Sequence, residues 1–337
     1  MSAQWLTAAW AGAPTITAVQ AERIAEDTGF SARLYRLSLT GDGLPDSVVV
    51  KLPAESDARG GMELLGGYRR EFAFYRHIAP VAPLSTAHCH IARIEGDTFV
   101  LVLEDLRDWD NADHLAGLSL HRARACIAAL ADLHAWSVRE ADPAALQDFP
   151  SMDNPLTRDL LLPAFTPGWQ LYLDKSGRSV SPAIAEFADR FAELAPQALA
   201  ALSVRSMLLH GDIRADNVFF RGDELKIVDF QLAVRGAGAA DIAYLVSQGL
   251  PASVRRGHDE TLVREYLAEL AQRGVTDYGF DEAWRHYRLG VALLLYMPVV
   301  ALLTWDVVPE RSRRLCLTLI DRAVAAIDDI GALQEFS

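Results

Sequence analysis

The fold is decided by one stretch of the sequence, His210-Gly211-Asp212-Ile213-Arg214-Ala215-Asp216-Asn217. Twelve residues after Asn217, Asp229 follows the apolar run Leu225-Lys226-Ile227-Val228. An aspartate on a tight loop can accept the proton of an attacking hydroxyl. Because Mg²⁺ prefers one or two carboxylates together with phosphate oxygens, Asp212, Asn217 and Asp229 form a suitable set. The two motifs together predict phosphoryl transfer, although either alone would be typical of an ordinary turn or strand end.

A lysine and a glutamate in the first hundred residues support the same chemistry. Lys51 ends a β-branched run, where a lone ammonium would be costly to bury without an anion. Glu71 lies twenty residues later, on the aromatic face of a predicted helix. An ion pair between them would satisfy both groups and would aim the ammonium at the phosphates of a nucleotide. The alternative is that they are two unrelated surface charges.

A phosphate-binding loop is the weakest part of the pattern. Gly29 and Ser31 precede the first clear strand, where a glycine-rich loop is expected. One glycine stands in this short segment, so the pattern G-x-G-x-x-G is absent. Backbone N–H groups and the Ser31 hydroxyl could still hold a phosphate, and a plain turn is the alternative.

The periodicity of the sequence changes after about residue 107, and residues 104–108 are the expected link. Alternating or β-branched runs predict strands at 33–39, 47–51 and 98–103, before a helical texture takes over. The predicted helices are 62–78, 118–136, 182–202, 261–272, 281–303 and 311–330. A hairpin is predicted at 218–228. We therefore predict an α+β chain with a sheet-rich N-terminal lobe over 1–104 and a helical C-terminal lobe over 105–337.

The composition is that of a globular protein. The chain has 337 residues, of which 51% are hydrophobic and 23% charged, and this length suits two packed lobes. Lys and Arg number 32 against 45 Asp and Glu, which gives a net charge of -13. Such an acidic chain repels phosphate backbones, so we expect no nucleic-acid partner and no general attraction to anionic membranes.

The cysteines and one apolar segment indicate the cellular location to expect for the protein. The three cysteines are widely spaced and predict reduced thiols in a cytoplasmic protein; they are Cys89, Cys126 and Cys316. His88 and His90 flank Cys89, but two histidines are too few for a zinc site. Seventeen residues without a charge lie between Arg288 and Asp306. We interpret this run as a buried helix, kinked at Pro298, rather than a membrane span.

The polar set resembles that of the aminoglycoside phosphotransferase and choline kinase superfamily. The likeness rests on Lys51, Glu71, the His-Gly-Asp-x-x-x-x-Asn motif at 210–217 and Val228-Asp229-Phe230. Three strings resemble the ecdysteroid kinase-like branch in particular. These strings are Val102-Leu103-Glu104-Asp105-Leu106, Val228-Asp229-Phe230-Gln231 and Gly29-Phe30-Ser31-Ala32-Arg33-Leu34-Tyr35-Arg36.

This resemblance implies a protein-kinase-like bilobal fold and ATP-dependent phosphorylation of a hydroxyl on a small molecule. By motif position, Asp212 would be the catalytic base, and Asn217 and Asp229 would bind Mg²⁺. Lys51, oriented by Glu71, would bind the phosphates of ATP.

The resemblance also implies further binding and structural roles. The hinge that faces adenine would include Glu104, Asp105 and Leu106. Asp241 would brace the catalytic loop.

Two alternatives to a small-molecule kinase with an apolar acceptor stay open. One is a catalytically silent scaffold that binds ATP, and the other is an aminoglycoside-type phosphotransferase with a cationic acceptor. A protein kinase is disfavoured because twelve residues separate Asp229 from Asp241, too few for an activation segment and a peptide-docking platform.

The acceptor is expected in the helical lobe. Its candidate contacts are Phe165, Trp169, Tyr172, Tyr287, Tyr296, Trp305 and Asp306, although core packing is the alternative role for each aromatic residue. The apolar character of 284–306 favours an apolar hydroxylated acceptor, such as a sterol-like alcohol. An acidic string could instead attract a cationic one; its members are Glu104, Asp105, Asp108, Asp110 and Asp113.

Overall fold

The computed structural model describes residues 1–12, 14–25, 32–54, 57–96 and 98–336. Within them the chain is an α+β protein with a sheet-rich N-terminal region and a helical C-terminal region, which confirms the predicted fold class.

Ten strands and thirteen α-helices are present in the described residues. The strands are β1 Ala18–Ile24, β2 Ala32–Thr40, β3 Ser47–Pro53, β4 Cys89–Glu95, β5 Thr98–Glu104, β6 Asp110–Asn111, β7 Met207–Leu209, β8 Val218–Arg221, β9 Glu224–Ile227 and β10 Val234–Gly236. The helices are α1 Ala3–Ala9, α2 Asp57–Leu64, α3 Gly67–Ala73, α4 Leu120–Arg139, α5 Phe165–Ser176, α6 Pro182–Asp189, α7 Phe191–Leu202, α8 Ala239–Gly249, α9 Ala252–Arg255, α10 Asp259–Gln272, α11 Phe280–Leu293, α12 Tyr296–Ala301 and α13 Glu310–Asp329.

An antiparallel sheet in the order β1-β2-β3-β5-β4 forms the N-terminal region. Its central strand β3 carries Val48 and Val50 on one face, where both pack in a small core with Leu6 of α1. Because side chains alternate along a strand, Lys51 lies on the opposite face. The strand therefore presents its lysine to α3 and to the helical region.

The single helix predicted at 62–78 is wrong, because three helical segments follow one another there. α2 ends at Leu64, and Gly66 takes a left-handed φ of 70° before α3 begins. Glycine adopts this conformation without a Cβ clash, so the helix breaks at this residue. A π-helical turn, Phe74–Ile78, continues α3. Glu71 consequently lies on a short helix of its own.

The motif 210–217 lies between short strands of the C-terminal region. β7 precedes it, and the hairpin β8–β9 follows it with Val218 opposite Ile227. The residues just outside the hairpin are therefore neighbours, and Val228 N donates to Asn217 O at 2.9 Å. Hairpin pairing thus brings Asp229 next to Asn217.

Two predicted helices are each divided into two. The segment 182–202 forms α6 and α7, and the segment 281–303 forms α11 and α12. In the second case the interruption precedes Pro298, which has no N–H to donate to the Leu294 carbonyl four residues earlier. Gln248 Nε2 donates to that carbonyl instead, at 3.1 Å.

The apolar segment Phe280–Thr304 is long and apolar enough to cross a membrane by those two criteria. However, 61% of its most apolar window is buried inside the protein. Much of this apolar surface is therefore covered by the protein's own helices, chiefly α8 and α7 against α11.

One aromatic stack joins the two regions. Phe74 and Phe230 are fully buried, and their rings stack with centroids 3.4 Å apart. Phe230 follows Asp229 directly, and Phe74 follows α3. The stack therefore fixes the helix that carries Glu71 against the segment that carries Asp229.

Candidate active site

A cavity of about 770 Å³ lies between the sheet and the helical region. Its walls include Lys51 and Glu71 from the N-terminal region and Asp212, Asn217 and Asp229 from the C-terminal region. The structure therefore brings together, around one cavity, five polar residues that the sequence singles out.

The loop that carries Asp212 is held by the buried carboxylate of Asp241. Asp241 Oδ2 accepts from His210 N at 2.7 Å, and Oδ1 accepts from Gly211 N at 3.0 Å. His134 Nε2 lies 3.2 Å from Oδ2. Burial acts to raise the pKa of Asp241, but these hydrogen bonds and the His134 side chain hold it below its usual range. An ionised Asp241 therefore braces the loop.

His210 has a structural place in the same loop. Its ring is buried, Nδ1 accepts from Asp212 N at 3.1 Å, and Nε2 lies 3.0 Å from the carbonyl oxygen of Val228. Because both ring nitrogens have backbone partners, His210 orients Asp212 rather than reaching the cavity itself.

Two features of the loop require a glycine at position 211: the backbone conformation and the lack of room for a side chain. Its φ is +80°, and a Cβ built there would lie 2.1 Å from the carbonyl oxygen of Leu232. A side chain at this position would therefore strain the backbone and push the loop away from Leu232.

The carboxylate of Asp212 lies at the cavity wall. Tyr244 Oη donates to Oδ1 at 3.1 Å, and Arg214 Nε is 3.3 Å from Oδ2. Asn217 Nδ2 donates to the Asp212 carbonyl at 2.9 Å. Burial raises the pKa of Asp212 against the attraction of Arg214. The Asp212 carboxylate is thus more basic than an ordinary aspartate.

Asp229 has a backbone conformation that is rare for a residue with a side chain. Its φ is +71°, at the point where the chain leaves β9. Non-glycine residues in this region carry strain, which is frequent at functional sites. Burial acts to raise the pKa of Asp229, but the ammonium of Lys51 outweighs it, so the pKa is lowered.

Lys51 links the two regions through its ammonium. Nζ lies 2.8 Å from Glu71 Oε1 and 2.9 Å from Asp229 Oδ1. Burial raises the pKa of Glu71 to about 7, against the pull of Lys51. Burial opposes the charge on Lys51 as well, but the two carboxylates outweigh it and the pKa of Lys51 is raised. The lysine is therefore charged, as contact with phosphates requires.

A family model matches the part of the sequence that contains these residues. The model of the ecdysteroid kinase-like family matches residues 28–276, which include Lys51, Glu71, the 210–217 loop and Asp229. The chain belongs to the ecdysteroid kinase-like family. No curated protein matches the sequence.

Comparison with solved structures shows that the chain has a kinase-like fold. A putative aminoglycoside phosphotransferase from Ralstonia eutropha matches with a TM-score of 0.60 at 15% identity, over 97% of this chain and 96% of that one. A choline kinase from Cryptosporidium parvum matches with a TM-score of 0.55 at 13% identity, over 94% and 91%. A Plasmodium vivax ethanolamine kinase matches with a TM-score of 0.52 at 12% identity, over 90% and 82%. At these identities the likeness concerns the fold.

The predicted hinge of the kinase-like fold lies at the cavity, but its side chains have other partners. Glu104, Asp105 and Leu106 all line the cavity. Glu104 Oε2 accepts from His88 N and pairs with Lys226, and Asp105 pairs with Arg36 at 2.8 Å. Gly29 and Ser31, the predicted phosphate loop, lie outside the described residues.

The far end of the cavity is formed by residues that the sequence does not single out. The apolar ones come from α12 and α13 and are Met297, Pro298, Ala301, Leu315, Cys316 and Leu319. The sequence-based candidates for this wall are not among the lining residues of the described chain. Tyr172 and Tyr287, for example, are buried and donate to Asp321 and Asp259. The alternative role, core packing, applies to both.

Tyr244 and Arg311 also line the cavity, and no sequence pattern predicts this position for either residue. Tyr244 lies three residues after Asp241, in a helix that is buried on all sides and so has no polar face to mark it. Arg311 lies at the start of α13 and reaches Asp113 at 2.7 Å. A contact across 198 residues has no local signal in the sequence.

Alanine substitutions at two glycines test the close approach of Gly211 to Leu232. Gly211→Ala should lower the free energy of unfolding by about 2–5 kcal/mol, because left-handed strain adds to overpacking. Gly222→Ala, at φ +59° with open space around its Cβ, should cost only the strain, about 1–2 kcal/mol. Urea unfolding followed by circular dichroism measures both. Equal losses would contradict the close approach of Leu232.

Proposed function

We propose that the protein is an ATP- and Mg²⁺-dependent kinase that transfers the γ-phosphate to a hydroxyl of a small acceptor by direct in-line transfer. One observation carries the proposal: Lys51 Nζ contacts Glu71 and Asp229 at the cavity that Asp212 also lines. One bound molecule could therefore meet three groups. Lys51 would contact phosphates, Asp229 would bind a metal, and Asp212 would accept a proton.

The residues at the cavity fit a magnesium ion that shares its ligands with phosphate. Asn217 Nδ2 donates to the Asp212 carbonyl, so the amide oxygen of Asn217 is available as a metal ligand. The lowered pKa of Asp229 keeps that carboxylate ionised. Among the described residues, no group of three or more His, Cys, Asp or Glu side chains could hold a metal by itself. Asn217 and Asp229 would therefore hold Mg²⁺ together with nucleotide oxygens, and the ion would offset phosphate charge.

Asp212 is the proposed general base. Its Oδ1 accepts from Tyr244, whereas the contacts of Oδ2 with Arg214 and Asn217 are longer, at 3.3 and 3.5 Å. The acceptor hydroxyl would give its proton to Oδ2 as its oxygen attacks. The positively charged guanidinium of Arg214 would then lie next to the protonated Asp212 carboxyl and to the phosphate that is being transferred.

The nucleotide would lie against the N-terminal sheet. The apolar residues that line the cavity include Leu34 and Val49 of the sheet and Phe219 and Val228 of the C-terminal region, together with the hinge. Such a slot suits the faces of a purine ring, while hinge backbone groups suit its edge.

The acceptor is proposed to be an apolar alcohol, because apolar residues of α12 and α13 form its side of the cavity. A polycation is less suited. Within the acidic string, Glu104 pairs with Lys226, Asp105 with Arg36, Asp110 with Arg122 and Asp113 with Arg311. These carboxylates are already neutralised by arginine or lysine.

We also propose a cytoplasmic location for the kinase. ATP is its proposed phosphate donor, and all three cysteines are free thiols: Cys89, Cys126 and Cys316. Burial raises the pKa of the Cys126 thiol to about 12, so it is unreactive and packs as an apolar side chain.

Mg·ATP binding tests the nucleotide site. At 100 times its Kd, Mg·ATP should stabilise the wild type by about 2.7 kcal/mol in a thermal shift experiment. Asp229→Ala should abolish most of this shift, because it removes a metal ligand and a partner of Lys51. Asp223→Ala, in the exposed β8–β9 turn, is the matched control and should keep the shift. A folded wild type without any shift would favour a scaffold that has lost its nucleotide.

An acceptor panel tests the apolar wall. With Mg·ATP, phosphate transfer should be fastest to hydroxylated steroids or long-chain alcohols, and slower to choline and aminoglycosides. Ala301→Phe would fill part of the cavity and should raise KM for the apolar acceptor about tenfold or more. Ala200→Phe, on the exposed side of α7, should leave KM unchanged. Transfer to aminoglycosides alone would overturn the apolar assignment.

The base can be tested with the best acceptor from that panel. Asp212→Ala should lower kcat by about 10²–10⁴ while the thermal shift with Mg·ATP persists, since a general base acts mainly in the transition state. Single-turnover transfer of labelled phosphate measures the chemical step. An unchanged rate would remove Asp212 from this role.

A further inference from the structure

The helix that braces the loop at 210–217 also contacts the Asp212 side chain, through Tyr244. Tyr244 lies on α8, three residues after Asp241, and it is 4% exposed where it lines the cavity. Residues three positions apart share one face of a helix. This face of α8 therefore presents two groups to the loop. Asp241 accepts hydrogen bonds from two main-chain N–H groups of the loop, and Tyr244 holds the side chain of Asp212.

Close packing fixes α8 behind the loop. All 11 residues of α8 are buried. A Cβ built at Gly290 of α11 would lie 2.8 Å from the Cβ of Ala243, the residue before Tyr244, so the two helices approach closely there. Because protein interiors are packed as densely as organic crystals, a helix in such contact has little room to shift. The Tyr244 hydroxyl is therefore held at one point of the cavity wall.

The two oxygens of the Asp212 carboxylate have different contacts. Oδ1 accepts from Tyr244 Oη at 3.1 Å, whereas Oδ2 lies 3.3 Å from Arg214 Nε and 3.5 Å from Asn217 Nδ2. The last torsion of an aspartate side chain is broad, so the carboxylate turns easily unless a partner holds it. The contact with Tyr244 therefore fixes Oδ1 and leaves Oδ2 with the longer contacts.

A buried tyrosine needs a partner for its hydroxyl wherever it packs, so this contact alone does not imply a function. Tyr287 gives the comparison within the same region. It is fully buried and donates to Asp259 Oδ1 at 2.7 Å, and the cavity lining of the described chain includes neither residue. Tyr244 differs because its partner is the proposed base and because both residues line the cavity.

We propose that Tyr244 is a positioning residue for phosphoryl transfer, whose hydroxyl holds Asp212 Oδ1 so that Oδ2 faces the attacking hydroxyl. In the transfer step, the acceptor oxygen bonds to the γ-phosphorus while the bond from that phosphorus to the leaving oxygen of ADP breaks. The acceptor proton goes to Oδ2, and Tyr244 keeps its own proton. The inference rests on the proposed function, in which Asp212 is the base.

The hydroxyl of Tyr244 is suited to this role because it stays a donor. Burial raises the pKa of Tyr244 well above its ordinary value, and the negative charge of Asp212 acts in the same direction. A hydrogen bond from a neutral hydroxyl to an ionised carboxylate is stronger than one between two neutral groups. The contact therefore orients the carboxylate without competing for its proton.

Tyr244→Phe tests the role, because it removes the hydroxyl and keeps the ring. We expect the single-turnover rate of phosphate transfer at saturating acceptor to fall about tenfold, since an unheld carboxylate is aimed correctly for less of the time. KM for the acceptor should stay within about twofold of the wild-type value, and the thermal shift with Mg·ATP should persist. Two attacking groups are tested: the fastest member of the acceptor panel, and water, whose attack appears as ADP release from Mg·ATP alone.

A double variant shows whether Tyr244 acts through Asp212. In an Asp212→Ala background, Tyr244→Phe should cause no further loss of the residual rate, because the oxygen that Tyr244 holds is already absent. A tyrosine that only packed would lower the rate by the same factor with and without that carboxylate. Tyr287→Phe is the matched control. It removes a buried hydroxyl from Asp259, outside the cavity lining, and should leave the rate and KM unchanged.

The outcomes separate this inference from the proposed function. A wild-type rate in Tyr244→Phe, or an equal loss with and without the Asp212 carboxylate, overturns the positioning role and leaves the kinase standing. A raised KM at an unchanged rate also overturns it, since Tyr244 would then bind the acceptor. A wild type that binds Mg·ATP but transfers phosphate to neither attacking group overturns the proposed function, and this inference with it. A loss of about tenfold that requires Asp212 supports the role.

Discussion

The buried ammonium of Lys51 is the constraint on which the site depends. Taking a single charge out of water costs several kcal/mol, and removing one partner of a buried ion pair costs about 3–5 kcal/mol. Lys51 therefore needs Glu71 and Asp229, which come from opposite regions of the chain. The stacking of Phe74 on Phe230 fixes the same two segments from the apolar side. Polar and apolar contacts thus specify one relative position for the sheet and the catalytic loop.

A second buried charge fixes the other half of the site. Asp241 accepts from two successive backbone N–H groups, so the loop is held by its main chain rather than by its side chains. This leaves the side chain of Asp212 available at the cavity. Gly211 allows the close approach to Leu232 that the arrangement requires. Asp229, at φ +71°, is held in a strained conformation by its salt bridge with Lys51.

The parts of the site that the sequence predicts are those encoded locally. The motif 210–217 and Asp229 are joined by a hairpin, and Lys51 lies on β3, which a β-branched run marks in the sequence, so short-range rules suffice. The helix at 62–78 was mispredicted because Gly66 breaks it, and a single glycine within a helical pattern is usually tolerated. The apolar wall of the cavity could not be predicted, since it depends on how α12 and α13 pack. Large aromatic residues were the natural candidates, yet large apolar side chains mostly fill cores.

The two ends of the cavity are encoded differently along the chain. The charged end combines residues of the segment 210–229 with the ion pair between Lys51 of β3 and Glu71 of α3. The apolar end is contributed by helices that follow more than 60 residues later. The apolar end is formed by α12 and α13, whereas Lys51, Asp212 and Asp229 lie outside both helices. A substitution in either helix can therefore change the apolar wall while the charged end keeps its own contacts.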